Sequence, residues 1–451
     1  MNRTTTKMVY LCSNCGADFP KWNGQCPACH EWGTLSEFKI KKRSGNRPDR
    51  EKRTATALSS LLNTIATERI SSRIGEVDRV LGGGLLQGSL ILLGGSPGIG
   101  KSTLALQIVA NVDQPVLYVS AEESGEQIAL RARRIGLKTG SMHISGENQI
   151  ENILDEISIL KTSLVVIDSI QTVFSNDIDS LPGSVSQIRE CGQQLLQACK
   201  QSGVTVIIIG HVTKDGTIAG PKMLEHMVDT VLYLDGDDRY DQRILRSVKN
   251  RFGATNEVGI FRMEANGMQP VENPSELFLA ERTDGISGSA IYPALEGSRP
   301  ILLEVQALVS AANFGTPQRN VNGIDYRRLA MLLAVLERRQ GLVLGTRDVF
   351  VNLVGGLKVS DPAADLAVVS AVASGTLDKI IQSSTALVGE VGLAGEVRSV
   401  SQLEKRIIEA QALGFKDLIA PQGSVHRLNS VPKKIKVHGV NSVKEVFEIL
   451  F

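Results

Sequence analysis

The chain has 451 residues, 42% hydrophobic and 22% charged, which excludes a wholly disordered chain and a small scaffold held by staples. Lys and Arg number 49 against 48 Asp and Glu, a net charge of +1, which excludes a surface that coats polyanions and confines any nucleic-acid contact to local patches. No apolar run approaches the roughly 18 residues of a membrane span, and MNRTTTKMVYLC lacks an apolar signal core, so the expected compartment is the cytoplasm.

The first expected element, residues 1–36, is a zinc module. Cys12, Cys15, Cys26 and Cys29 are spaced C-x2-C-x10-C-x2-C, two knuckles that offer four thiolates to one tetrahedral ion. Four thiolates leave no open coordination position, so the Zn²⁺ is structural, and its binding supplies folding energy that so short a module lacks. His30 adjoins Cys29 as an alternative ligand. Trp22 and Trp32 read either as the module's small core or as a platform on which a base stacks. Residues 37–58, including KIKKRSGNRPDREKR at 39–53, lack an apolar period and read as a basic flexible linker.

Residues 59–270 alternate helices with apolar strands at 89–93, 116–120, 164–168, 204–209, 230–234, 244–248 and 258–263. That rhythm predicts a parallel α/β sheet with helices on both faces, closed by an antiparallel edge. The helix predicted at 185–201 turns Ile188, Cys191, Leu195, Leu196 and Cys199 to one face, which makes both cysteines packing residues.

Gly95, Ser96, Pro97, Gly98, Ile99, Gly100, Lys101, Ser102 and Thr103 form a phosphate-binding loop between an apolar strand and a helix. The glycines let backbone N–H groups wrap phosphates, Lys101 bridges the β- and γ-phosphates of ATP, and Ser102 holds Mg²⁺. Asp168 ends the strand LVVID, where a carboxylate faces the ligand crevice and acts on Mg²⁺. Glu122, at the rim of the strand before it, is the candidate for orienting the attacking water, with Glu123 as its competitor. His211 is a candidate γ-phosphate sensor. TKDGTIAGPK at 213–222 reads as a mobile DNA loop with Lys214 and Lys222 for phosphate, or as a solvated surface loop. Lys249 and Arg251, in KNRFG, read by themselves as charges on a turn. Turn formers at 266–276 mark a boundary, and 271–451 forms a second, α+β domain with helices near 326–340 and 403–413 and extended runs at 348–353, 385–391 and 418–420.

DRVLGGGL at 78–85, the phosphate loop, SAEES at 120–124 and VVIDS at 165–169 resemble the RecA-like P-loop ATPase core. With the four-cysteine module and KNRFG at 249–253, the whole chain resembles the RadA (Sms) family of bacterial DNA repair proteins. That resemblance implies a hexameric ring with single-stranded or branched DNA in its channel, acting in recombination and branch migration with the RecA recombinase. It also implies that Lys249 and Arg251 enter the neighbouring subunit's ATP site. The C-terminal domain resembles the Lon protease domain, but Ala363 stands at the nucleophile's place and Glu404 at the lysine's. The resemblance therefore implies a Lon-like domain without proteolysis, serving oligomerisation and DNA contact, with Lys358, Arg398, Lys405 and Arg406 as candidate phosphate contacts. The rival reading is a RecA-like nucleotide-dependent switch acting on protein partners.

Overall fold

A computed structural model describes residues 6–12, 17–41, 68–138, 140–211, 222–236, 241–280, 282–312, 316–354, 359–428 and 434–451. Cys15, residues 42–67, Lys214 with the rest of 213–221, and Lys358 lie outside the described residues. The chain divides into two compact units, Met1–Val271 and Glu272–Phe451.

The N-terminal segment is a three-stranded antiparallel ribbon in which Thr6–Cys12 pairs with both Asp18–Phe19 and Leu35–Lys41. The last strand continues to Lys41, so residues 37–41 are paired strand where the sequence suggested the start of a linker. The ribbon's core is Cys12, Cys26 and Leu35, with Tyr10, Phe19 and Cys29 packed against them. The tryptophans are not that core: Trp22 is 59% and Trp32 74% exposed. The thiols occupy the small interior, and both indoles are left outside it.

The ATPase-like part is built on a nine-stranded sheet. Six strands run parallel, in the order Thr230–Asp235, Leu90–Gly95, Thr205–His211, Leu164–Asp168, Val116–Ser120, Met142–Ser145. Gln242–Asn250, Val258–Glu264 and Gly267–Pro270 extend it antiparallel beyond Thr230–Asp235, the closed edge expected from sequence. The central strands are buried along their whole length, which requires cover on both faces. Helices Lys101–Ala110 and Gly125–Arg134 cover one face through Leu104, Ile108, Ile128 and Ala132. Helices Ile150–Leu160 and Val185–Ser202 cover the other through Ile153, Ile157, Ile188 and Leu195. Cys191 and Cys199 pack in that second layer, and burial pushes both thiols up to about 12, which leaves them unreactive.

The second unit carries a mixed seven-stranded sheet, led by the hairpin Ser289–Glu296 and Arg299–Ala311. Gly297, at φ +61°, opens the two-residue turn between them. The helix Asp365–Leu377 lies on this hairpin, buried from Asp365 through Ser374.

Candidate functional site

The phosphate loop leaves the middle strand of the sheet at Gly95. This residue has φ +153°, and a Cβ there would lie 2.5 Å from the Leu234 carbonyl oxygen, so only glycine fits. Gly100, at φ +112°, starts the helix Lys101–Ala110, whose N-terminal dipole points at the loop. Lys101 is buried, and its Nζ donates to the carbonyl oxygens of Gly95 (2.8 Å) and Ser96 (2.9 Å), which folds the ammonium back over the loop. Burial lowers its pKa; Asp168 and Glu122 oppose that and favour the charged form.

Strand register brings the expected acids to the same rim. His211 pairs with Gly95, and Ser120 pairs with Asp168, so the carboxyl ends of four neighbouring strands align. Open parallel sheets hold ligands at this edge. Asp168 is buried, with Oδ2 accepting from the Tyr118 hydroxyl at 2.6 Å and a further hydrogen bond to the Ser102 side chain. Burial pushes the Asp168 carboxyl above its usual range, and the hydrogen bonds from Tyr118 and Ser102 pull it back. Ser102 and Asp168, the two residues expected at Mg²⁺, are therefore in contact. Glu122 accepts from the hydroxyl of the buried Ser169, one residue beyond Asp168. Glu123 is ion-paired to Arg131 instead, and Ser124 caps the helix Gly125–Arg134 in a capping box with Gln127. So the two adjacent glutamates separate: Glu122 faces the loop's charges and Glu123 is tied to a helix. Only the backbone of His211 is described.

Tyr118, Ser169 and Arg243 escape a sequence reading. Tyr118 is a tyrosine inside an apolar strand, and a buried hydroxyl needs a partner. Arg243 is a buried cation in another, with Nε donating to the Ile99 carbonyl oxygen at 3.2 Å.

KNRFG lies at the opposite end of the sheet. Thr230 pairs with both Asn250 and Ile91, four residues before Gly95, so Lys249 and Arg251 stand about 13 Å along the strands from the phosphate loop of their own chain. Lys249 Nζ donates to the carbonyl oxygens of Glu225 (2.7 Å), His226 (3.2 Å) and Val228 (2.7 Å) near the end of the helix Lys222–Met227. Arg251 is half exposed and pairs with Asp229 at 3.2 Å.

Cys12, Cys26 and Cys29 place their sulfurs within 4.8 Å of one another, and Cys12 and Cys29 are 3.7 Å apart. Zn–S bonds of about 2.3 Å in a tetrahedron require an S···S edge of about 3.8 Å, so three of the four expected ligands fit zinc. Chelation is expected to unfold residues 6–41 while leaving the nine-stranded sheet folded. Hydrogen exchange of the paired amides in Thr6–Cys12 and Leu35–Lys41 reads this module directly. Unchanged protection of those amides after zinc is stripped and verified absent would contradict a structural metal.

In the second unit, Asp361–Asp365 and Gly389–Val391 adjoin as the Lon-like alignment requires, with the Gly389 N–H donating to the Ala363 carbonyl. Glu404 is exposed and Lys405 Nζ donates to the Ser298 carbonyl at 3.4 Å. Arg406 is not a phosphate contact: it is fully buried, donating to Asp361 Oδ2 (2.6 Å), the Tyr292 hydroxyl (3.1 Å) and the Pro293 carbonyl (2.6 Å). Asp361 is held below the usual carboxylate range by Arg406 and the Ala363 N–H, against the effect of burial. Arg406→Ala is expected to destabilise this unit by about 3 kcal/mol, since it strands Asp361 without its cation. Urea unfolding followed by hydrogen exchange in 365–377 reads that loss, and an unchanged midpoint would show the network to be idle. Arg398 is exposed but engaged by Glu396 and Glu390.

The family described as AAA domain matches residues 55–217, the rubredoxin metal binding domain 10–37, and the Lon protease (S16) C-terminal proteolytic domain 343–451. The DNA repair protein RadA of Bacillus subtilis (strain 168) is 48% identical over 448 residues, covering 98% of each chain. The DNA repair protein RadA of Chlamydia pneumoniae is 45% identical over 454 residues, covering 99% of each.

Proposed function

Since the chain belongs to the RadA family of DNA repair proteins, we propose that it is a DNA-dependent ATPase of cytoplasmic homologous recombination. In this reading it assembles as a hexameric ring on single-stranded or branched DNA and extends strand exchange with RecA. The observation that carries the proposal is the convergence of the loop 95–103, Asp168 and Glu122 at one rim of the sheet.

The residues divide the work as follows. Backbone N–H groups of 95–103 and the helix N-terminus bind the phosphates, and Lys101 turns from the Gly95 and Ser96 carbonyls to the β- and γ-oxygens. Ser102 and Asp168 would hold Mg²⁺, which would supply charge neutralisation for the phosphates. Tyr118 fixes one Asp168 oxygen. Glu122, positioned by Ser169, orients water for in-line attack. KNRFG is too far from its own loop to act there, so Arg251, with Lys249 beside it, serves the neighbouring subunit. Arg251 gives up one ion pair to do so, and Lys249 three carbonyls.

The Lon-like unit has Ala363 where a nucleophile is needed and a buried Arg406–Asp361–Tyr292 network beside it, so we assign it no proteolysis. Oligomerisation and DNA contact are its proposed roles, with Lys358, Arg398 and Lys405 as phosphate contacts. Among the described residues no helix is long and apolar enough to cross a membrane.

The test is steady-state ATP hydrolysis with and without single-stranded DNA. Stimulation of tenfold or more is expected, on the order of what an added charge contact at the site supplies. Robust hydrolysis indifferent to DNA would instead favour a nucleotide-dependent switch acting on protein partners.

A further inference from the structure

We propose that Arg243 is a positioning residue for the phosphate loop, and that its strand, Gln242–Asn250, links each subunit's own loop to the ATP site of its neighbour. The second half rests on the trans role of Arg251 proposed above.

Arg243 is 8% exposed, paired with Phe261 and one residue before the strand's ladder to Thr230–Asp235 begins. Burying a guanidinium is costly, and an apolar side chain would fill the same space at less cost. Among the guanidinium's contacts is one with the loop: Nε donates to the Ile99 carbonyl oxygen at 3.2 Å, while Nη1 donates to the Gln242 carbonyl at 2.9 Å. The Ile99 carbonyl and the Gly100 N–H belong to one planar trans peptide and point in opposite directions. Holding that carbonyl against the sheet edge therefore aims the Gly100 N–H away from it, into the turn of the loop where an anion is cradled. The neighbourhood is close-packed. The Gly236 backbone lies against both side chains: a Cβ there would lie 2.6 Å from Arg243 Cδ and 3.2 Å from Ile99 Cδ1, so a side chain at 236 would displace the arginine from the loop.

The same strand runs seven residues on to Asn250, about 23 Å. Arg251 follows directly. Near that end Lys249 is clamped to three carbonyls, and Asn250 Oδ1 accepts from the Phe252 N–H at 3.0 Å. The strand is paired with Val258–Glu264 over Gln242–Arg246 and with Thr230–Asp235 over Ile244–Asn250, past one bulge at Val248, so the two overlapping ladders span it from end to end and carry a displacement of either end along it. Engagement of Arg251 by a neighbour's phosphate is thereby felt at Arg243, and through Ile99 at the N–H groups that bind the subunit's own nucleotide.

The experiment measures binding of a fluorescent ADP analogue and the ATP dependence of turnover in full-length wild type, Arg243→Ala, Arg243→Lys and Arg251→Ala. Wild type is expected to turn over ATP with a Hill coefficient above 1. Arg243→Ala is expected to bind nucleotide about tenfold more weakly, the scale of one lost charge-assisted hydrogen bond, and to turn over with a Hill coefficient of 1 although Arg251 is intact. Arg243→Lys, which keeps one donor and the strand's packing, should recover part of the affinity and keeps the test open should the alanine variant fail to fold. Wild-type nucleotide affinity in both variants would overturn the positioning role. Weaker binding with cooperativity unchanged, or a wild-type coefficient of 1, would overturn the link alone. Wild-type turnover by Arg251→Ala would remove the trans reading and leave the affinity result for Arg243 to stand on its own.

Discussion

Lys101→Ala is expected to lower ATP turnover by about 10³-fold or more, with and without DNA, while the protein stays folded. The side chain sits at the first residue of the helix after the loop, buried, with its ammonium over the Gly95 and Ser96 carbonyls. Those two hydrogen bonds keep the cation at the loop, beside Asp168 and Glu122, from where it is proposed to turn to the phosphate oxygens. Alanine removes the cation but keeps the helix, because it is the best helix former and the core beneath is supplied by Leu104, Ala105 and Ile108. The loss should thus appear in turnover and in affinity for the triphosphate, with little change in melting temperature. A variant that retains turnover would refute the assignment of the loop. Arginine at the same position is expected to fail as well, since its planar fork does not replace a compact ammonium inside a closed loop.

The loop was legible in the sequence because its chemistry is local. Glycines, lysine and serine stand at fixed offsets between a strand and a helix, and nothing distant is needed to name them. Asp168 was legible for the same reason, at the end of an apolar strand. The choice between Glu122 and Glu123 needed the fold, since it turns on Ser169 and Arg131, residues 47 and 8 positions away. Tyr118 and Arg243 were hidden because each is explained by a partner on another strand or loop. Cysteine spacing picked out Cys12, Cys26 and Cys29, whose sulfurs the fold brings together, but the shortness of the module suggested the tryptophans as its core, whereas in so small a ribbon the thiols themselves are the interior. Arg406 could have been placed inside: Leu403, Arg406, Ile407 and Ala410 follow the 3.6-residue period of a buried face. The hairpin at 289–311 was missed because Pro293 and Pro300, which cannot donate to a ladder, argue against strand. The two-residue Gly297–Ser298 turn was the clue that pointed the other way.

Arg251→Ala is expected to lower turnover by about 10³-fold while leaving nucleotide binding within a few-fold of wild type, the pattern of a group that acts mainly on the transition state. Its place on the sheet is the argument. Asn250 is level with Ile91, at the amino end of the strand whose carboxyl end carries the loop, so a cation there cannot reach its own γ-phosphate. It is nevertheless built with care for a surface charge. The Arg251 N–H donates to the Asp229 carbonyl, Asp229 is buried and also accepts from the Leu90 N–H, and Arg69 holds the Phe252 carbonyl at 2.8 Å. A rigid backbone beneath a half-exposed guanidinium suits a charge that must be presented to another molecule, with one modest ion pair to exchange. The decisive measurement mixes subunits. If Arg251 acts in trans, doping Lys101→Ala subunits, which still carry Arg251, into Arg251→Ala protein should restore turnover at the Arg251→Ala subunits they adjoin. Two variants that stay inactive in every mixture, despite proven co-assembly, would place Arg251 outside the reaction of its neighbour.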